Sequence, residues 1–351
     1  MLFILIILLL IIAKSTTVSS SGKFNNEYIS IDTTTNIKGI FVILVFISHF
    51  SQYVDLGGVY DQPYLDFKNH INQMVVAPFL FYSGFGIMES IKNKGFNYVK
   101  SVPSKRFLNL LINFDIAIVL FLITNFFLNR SYDIKTILLS LIGWKNVGNS
   151  NWYIFVTFVL YLLVFISFFI VKWLNCNGGR LIGCILLTAL TIAFVYSQMV
   201  IGRPGYTYNT AILFPLGCWY SLFRPQIERF LMKNDFVYIL CCAINLFVYA
   251  YFIRHRWDGI EFYSVWAISF MITILLFTMK FNLKGNILTW FGNHVFSIYI
   301  LQRIPMSVLQ HLGFADKKFT FFVLSFVLTI LISIIFDYFT GKLSRKIYVK
   351  N

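Results

Sequence analysis

Residues 36–54 read NIKGIFVILVFISHFSQYV, an apolar run with a lysine near its start, Lys38, and a histidine eleven residues later, His49. Eleven residues of α-helix rise about 16 Å and complete about three turns, so both side chains leave the same face. Lys38 is expected at a membrane surface, and His49 near the middle of the run, deep in the bilayer. An ionisable group at that depth is costly and marks a functional site by default.

The rest of the chain supplies the membrane. Of 351 residues, 58% are hydrophobic and only 12% charged, about half the charged share of a soluble domain. Apolar runs near 20 residues long recur, and the ten-residue alternation of an outer-membrane barrel is absent. The fold class is therefore all-α, a polytopic transmembrane helical bundle. Ten core helices are expected, at 37–54, 71–91, 107–128, 152–172, 181–200, 209–223, 235–253, 258–279, 285–311 and 319–340. The shorter run 134–143 cannot span and is expected to lie at the interface or re-enter.

Orientation follows from the basic residues in the loops. If the start of the 37–54 helix is cytoplasmic, that side receives roughly twice as many Lys and Arg as the other, among them Lys342, Arg345, Lys346 and Lys350. The expected location is the cytoplasmic membrane, multi-pass, with a cytoplasmic C-terminus. The net charge of +15 is explained by this distribution, and no nucleic-acid partner is implied.

Residues 1–36 form a separate N-terminal hydrophobic segment and polar linker, ahead of a transmembrane domain over 37–351. MLFILIILLLIIA, residues 1–13, has no basic stretch before it and is a poor match to a cleaved signal. It reads as a short additional helix with its N-terminus outside and Lys14 inside. The linker 15–36, rich in Ser, Thr and Asn, reads as mobile.

Several residues could do chemistry. His49 can act as general base toward a hydroxyl, or as a nucleophile that carries an acyl group. A histidine merely hydrogen-bonded between helices is the plainer reading. Asp115, His294 and His49 are expected at one depth, which suggests a polar cavity, and Asp115 could orient or pair with a histidine. Ser83-Gly84-Phe85-Gly86 forms a small-residue patch that either packs a helix closely or leaves room for a ligand. Glu89 could pair with Lys92 or Lys94. KNKGFNYVKSVPSKRF, residues 92–107, has five positive and no negative charges and would attract a phosphorylated ligand. The cysteines, Cys176, Cys184, Cys218, Cys241 and Cys242, read as small core residues, and no metal-ligand pattern is visible. A glycan flippase, a polymerase or a small-molecule transporter would also need a polar cavity, although no internal repeat supports a transporter.

Taken together these segments resemble the membrane acyltransferase-3 family, which acylates bacterial surface polysaccharides and related acceptors. Lys38-Gly39-Ile40 through His49 match its first helix, with Lys where Arg is usual. Phe81-Tyr82-Ser83-Gly84-Phe85 is similar to the end of its second helix. Lys105-Arg106-Phe107-Leu108 is similar to the start of its third, with Asn109 where many members have a second Arg. Trp152, the FPLG of 214–217 and FGNHVFSIYILQ of 291–302 continue the likeness.

The resemblance implies an O-acyltransferase that uses acyl-CoA, most commonly acetyl-CoA, from the cytoplasm, with no metal. Lys38, Lys105 and Arg106 would meet the coenzyme A phosphates, and Ser83 would line the donor site. His49 would take the acyl group or deprotonate the acceptor, with Asp115 in support. The acceptor would be a polysaccharide or lipid-linked glycan at the outer face, reached through a water-accessible shaft. Many relatives carry a fused extracellular esterase-like domain; here direct transfer or a separate extracellular transfer partner is expected instead. Other partners are membrane lipids.

Overall fold

Helix α1 (Leu2–Lys14) takes up the first apolar run, and strand β1 (Thr16–Val18) follows it. The structure, a computed structural model, describes residues 1–348, so Lys350 lies outside the described residues. Helix α2 (Ile31–Phe50) carries Lys38 and His49. It starts six residues earlier than its hydropathy suggests, because Ser30 caps it: the Ser30 hydroxyl accepts the Thr33 N–H at 3.2 Å. Thr33, Thr34 and Asn36 are buried, but each satisfies its side chain on nearby backbone carbonyls, of Glu27, Ile31 and Asp32. The helix also stops at Phe50, so His49 sits at its end and not at its middle.

Helices α3 (Gln62–Ile71) and α4 (Ala77–Lys94) run on through a 3-10 turn, Asn72–Val76, as one span. Helix α5 (Phe96–Ser101), a π-helical stretch Val102–Leu108 and helix α6 (Asn109–Phe127) make the next. The π stretch contains Pro103, which has no N–H to donate, and carries Lys105 and Arg106. Such stretches are rare and are often found at functional sites. Helix α7 (Ile134–Leu141) is the short piece expected near 134–143. Then come α8 (Trp152–Trp173), α9 (Gly179–Val200), α10 (Leu213–Leu231), α11 (Asp235–Arg254) and α12 (Ile260–Lys280). Strand β2 (Phe281–Leu283) precedes α13 (Asn286–Asn293), α14 (Val295–Leu301), α15 (Arg303–His311) and the long α16 (Lys318–Tyr348).

Among the described residues eight helices are long and apolar enough to cross a membrane, which makes this a multi-pass membrane protein. The two other expected segments are present in different form. Residues 209–223 fall in α10, whose second half carries Arg224, Glu228 and Arg229. Residues 285–311 form three short helices that break at His294 and Gln302.

Glycines set the two closest helix crossings. A Cβ on Gly84 of α4 would stand 1.9 Å from the Phe214 carbonyl oxygen of α10, and one on Gly217 would stand 2.1 Å from the Phe81 oxygen. The turn Thr35–Gly39 of α2 meets Leu288–Gly292 of α13 just as closely. Van der Waals packing of small residues is the main adhesive between helices in lipid. The SGFG patch is thus a packing notch at Gly84, while Gly86 faces open space.

The first thirty residues are ordered rather than mobile. β1 pairs antiparallel with β2, Thr16 opposite Leu283 and Val18 opposite Phe281. Asn25 adds bonds to the carbonyls of Met279 and Thr278, and Asp235 accepts from Ser21 and Gly22. At its other end α1 meets Asp61: the Met1 amino group and Lys318 Nζ approach its carboxylate at 2.6 and 2.7 Å. Burial of Asp61 alone would raise its pKa, but hydrogen bonds from Lys318 and the Met1 amino group outweigh it and bring the carboxyl down to about 2. Helix α1 therefore links the end of the bundle that carries residues 60 and 61 to the end that carries 281–283.

Candidate active site

The C-terminal end of α2 opens into a cavity of about 600 Å³. Its walls include His49 of α2 and Gln52 just after it, Lys68 and Gln73, the stretch Gly148–Trp152 before and at the start of α8, and Tyr299 and Arg303. His49 Nε2 lies 3.5 Å from Ser150 Oγ, and Ser150 Oγ lies 3.3 Å from the Tyr299 hydroxyl. One proton layout suits all three groups: Tyr299 donates to Ser150, Ser150 donates to Nε2, and the imidazole carries its proton on Nδ1. That nitrogen is buried without a hydrogen-bond partner, as is Gln302 Oε1. The Gln302 side chain is close enough to interact with the His49 ring, and its amide nitrogen is held by the Tyr299 carbonyl at 2.9 Å.

The loop that presents Ser150 is fixed by three asparagines. Asn125 donates to the Val147 carbonyl at 2.7 Å. Asn151 donates to the carbonyls of Gly143 and Lys145. Asn149 Oδ1 accepts the Val147 N–H, and Gly148, at φ +98°, makes the turn. This leaves Asn149 Nδ2 buried with no partner on the cavity wall. A buried donor left unpaired costs about 1–3 kcal/mol, a cost that a bound oxygen atom would relieve.

A second cavity, about 410 Å³, lies at the far end of α4, walled by Lys94, Asn97, Tyr98, Ser101, Lys105 and Arg106. Arg106 Nε donates to the Tyr98 hydroxyl at 3.1 Å, and Lys38 is in electrostatic reach of Arg106. Ser83 shares a 3.3 Å hydrogen bond with the Tyr161 hydroxyl, and Tyr161 also interacts with Arg106. Lys38, Lys105 and Arg106 thus lie toward one end and His49 at the other, while Ser83 stands between them, inside α4, off the wall of either cavity.

The expected single shaft is replaced by two cavities with tyrosines between them. Tyr161 and Tyr153 lie about two turns apart on α8, and the Tyr153 ring packs on Tyr299 at 5.4 Å. The column runs from Arg106 to Ser150 and His49.

Asp115 and His294 do not join His49. Among the described residues Asp115 makes no hydrogen bond or ion pair with either histidine, its Oδ1 is buried unpartnered, and it is not on the His49 cavity wall. His294 pairs through Nδ1 with Asp337, which also accepts from Ser297 at 2.7 Å. It directly follows the Gly292 crossing and so lies at the level of Lys38, not of His49. Glu89 pairs with Lys92 at 2.7 Å and binds Ser221, a tie between α4 and α10. Among the described residues no group of three His, Cys, Asp or Glu is placed to hold a metal ion.

Nothing in the sequence analysis singles out Asn149, Ser150 or Tyr299. The available signal is the density of asparagine around one glycine in NVGNSN, residues 146–151, a composition that favours tight side-chain-to-backbone turns.

Residues 29–338 match the family Acyl_transf_3, described as an acyltransferase domain. No curated protein and no solved structure matches the chain.

Proposed function

This chain belongs to the Acyl_transf_3 family of acyltransferases, and from that premise we propose that it moves an acyl group from cytoplasmic acyl-CoA to a hydroxyl of a surface glycan. One observation carries the reading. A basic cavity and a histidine cavity occupy opposite ends of one bundle, joined by a tyrosine column. A donor made inside and an acceptor exposed outside pose that geometric problem.

In this reading the coenzyme A phosphates rest against Lys94, Lys105 and Arg106, with Lys38 adding charge beneath them. Arg and Lys suit phosphate through charge-assisted hydrogen bonds. The pantetheine arm threads past Tyr161 and Tyr153 toward His49, which requires those rings to rotate aside. The acceptor, a polysaccharide or lipid-linked glycan, enters the 600 Å³ cavity, whose amides and hydroxyls match the donors and acceptors of a sugar ring. His49 Nε2 removes the proton of the attacking hydroxyl, and Gln302 holds the opposite nitrogen. Acetyl is the proposed group, and a separate extracellular transfer partner is proposed to complete its delivery to the glycan. Lys68 and Arg303, on the same wall, suit an anionic acceptor. The membrane is proposed to be cytoplasmic, with the C-terminus inside.

The test is purified full-length protein in lipid nanodiscs with acetyl-CoA and native glycan. Release of free coenzyme A with an acylated glycan supports the reading. Unchanged surface glycan, by mass spectrometry, in cells lacking the protein would refute the acceptor class.

A further inference from the structure

We infer that Ser150 is a covalent acyl carrier: its hydroxyl takes the acyl group as an ester before the acceptor receives it. The inference rests on the acyltransferase reading above and adds a step to it. Four observations support it. Ser150 is buried, and its Oγ lies within 3.5 Å of His49 Nε2, the relation of a hydroxyl nucleophile to its base. Gln302 lies close to the His49 ring, whose Nδ1 has no other claim on it, and is a group able to fix the ring. Asn149 Nδ2, on the adjacent residue, is a buried donor with nothing to bind. The asparagine-braced loop holds Ser150 at the start of α8 without freedom to swing away. A nucleophile, a base, a group that orients the base and an unused donor for a developing oxyanion are the parts that acyl transfer through an ester requires.

The chemistry balances. His49 Nε2 takes the Ser150 proton, Oγ bonds to the thioester carbonyl carbon, and the oxyanion is held by Asn149 Nδ2. The C–S bond breaks, and the thiolate leaves with the proton from His49 as free coenzyme A. In the second half the acceptor hydroxyl gives its proton to His49 and attacks the ester. The bond to Oγ breaks, and Ser150 recovers the proton. No metal, oxidant or further reactant takes part. The carrier also separates the two substrates in time, so donor and acceptor need never occupy the crowded tyrosine column together.

The test is isotope exchange in the absence of acceptor. Only a covalent intermediate lets labelled coenzyme A enter acetyl-CoA or succinyl-CoA. Full-length protein in nanodiscs is expected to catalyse this exchange. Ser150→Ala is expected to lower it by about 10²-fold or more, and Ser150→Cys to keep it and leave a thioester. Mass spectrometry of the quenched protein is expected to find the acyl group on the Ser150 peptide. An acyl group on His49 or Tyr299, or wild-type exchange in Ser150→Ala, overturns the carrier role while the acyltransferase reading stands. Glycan acylation without exchange means direct transfer and also overturns it. If the wild-type protein consumes no acyl-CoA, even in native membranes that hold the acceptor, the reading itself fails and the carrier falls with it.

Discussion

Gln302 stands beside His49: its Oε1 and the imidazole Nδ1 are each buried without a hydrogen-bond partner, while its amide nitrogen is tied to the Tyr299 carbonyl. Ser150 Oγ faces Nε2, which leaves Nδ1 as the nitrogen for Gln302 to bind. Gln302→Met removes the acceptor and keeps the volume. It is expected to lower kcat roughly 10-fold to 100-fold, the range for lost support behind a catalytic group, with KM for acyl-CoA unchanged. Gln302→Glu should restore most of the rate. Equal losses in kcat and KM, or no rescue, would leave Gln302 only a packing role.

His49→Ala is expected to reduce acyl transfer by about 10²–10⁴-fold, the usual worth of a positioned base. Coenzyme A binding should persist, because the basic cavity lies about 27 Å away along α4. Steady-state rates and a binding isotherm on one preparation separate the two. Substantial transfer by His49→Ala would move the chemistry elsewhere.

Lys105→Ala and Arg106→Ala are each expected to raise KM for acyl-CoA roughly tenfold, less than the full value of a charged hydrogen bond because water shares the site. Salt should raise the wild-type KM and affect the double variant less. A KM insensitive to both changes would place the phosphates elsewhere.

Gly84→Ala puts a methyl 1.9 Å from the Phe214 carbonyl oxygen, which is backbone and cannot swing aside. A loss of about 1–3 kcal/mol or more is expected, read as a lower melting temperature in detergent. Gly86→Ala, two residues on, meets nothing within 4 Å and serves as the control. It should melt at or slightly above the wild type, since alanine favours helix.

The carboxyl of Asp61 has its pKa brought down to about 2 in the folded protein, against about 4 when unfolded. Its contribution to stability is complete above pH 4 and is lost as pH falls through about 2. Melting temperature against pH should fall across that window in the wild type. In Asp61→Asn the fall should be shallower, from a lower starting point.

The helices were legible because apolar runs long enough to cross a bilayer leave few alternatives. His49, Lys105 and Arg106 were legible because charge is conspicuous in hydrocarbon. The start of α2 was hidden: Thr33, Thr34 and Asn36 look like linker, and only the Ser30 cap and their bonds to local carbonyls make them helical. That shift moved His49 from mid-helix to the rim. The partners of the histidines were hidden for another reason. Ser150, Gln302 and Asp337 are distant in sequence and common in type, so tertiary packing alone selects them. The tyrosine column was concealed by abundance, since twenty Tyr in an aromatic-rich chain give no reason to choose three.

The pairing of Thr16–Val18 with Phe281–Leu283 bears on how the protein is made. Strand β1 leaves the ribosome early, yet its mate emerges only after most of the polypeptide has been threaded into the lipid. Until then the leading segment has no edge to dock on, and Asp61 must wait still longer for Lys318. Assembly therefore finishes like a fastened clasp, and a nascent product truncated before residue 281 should display its opening helix to proteases and quality-control machinery.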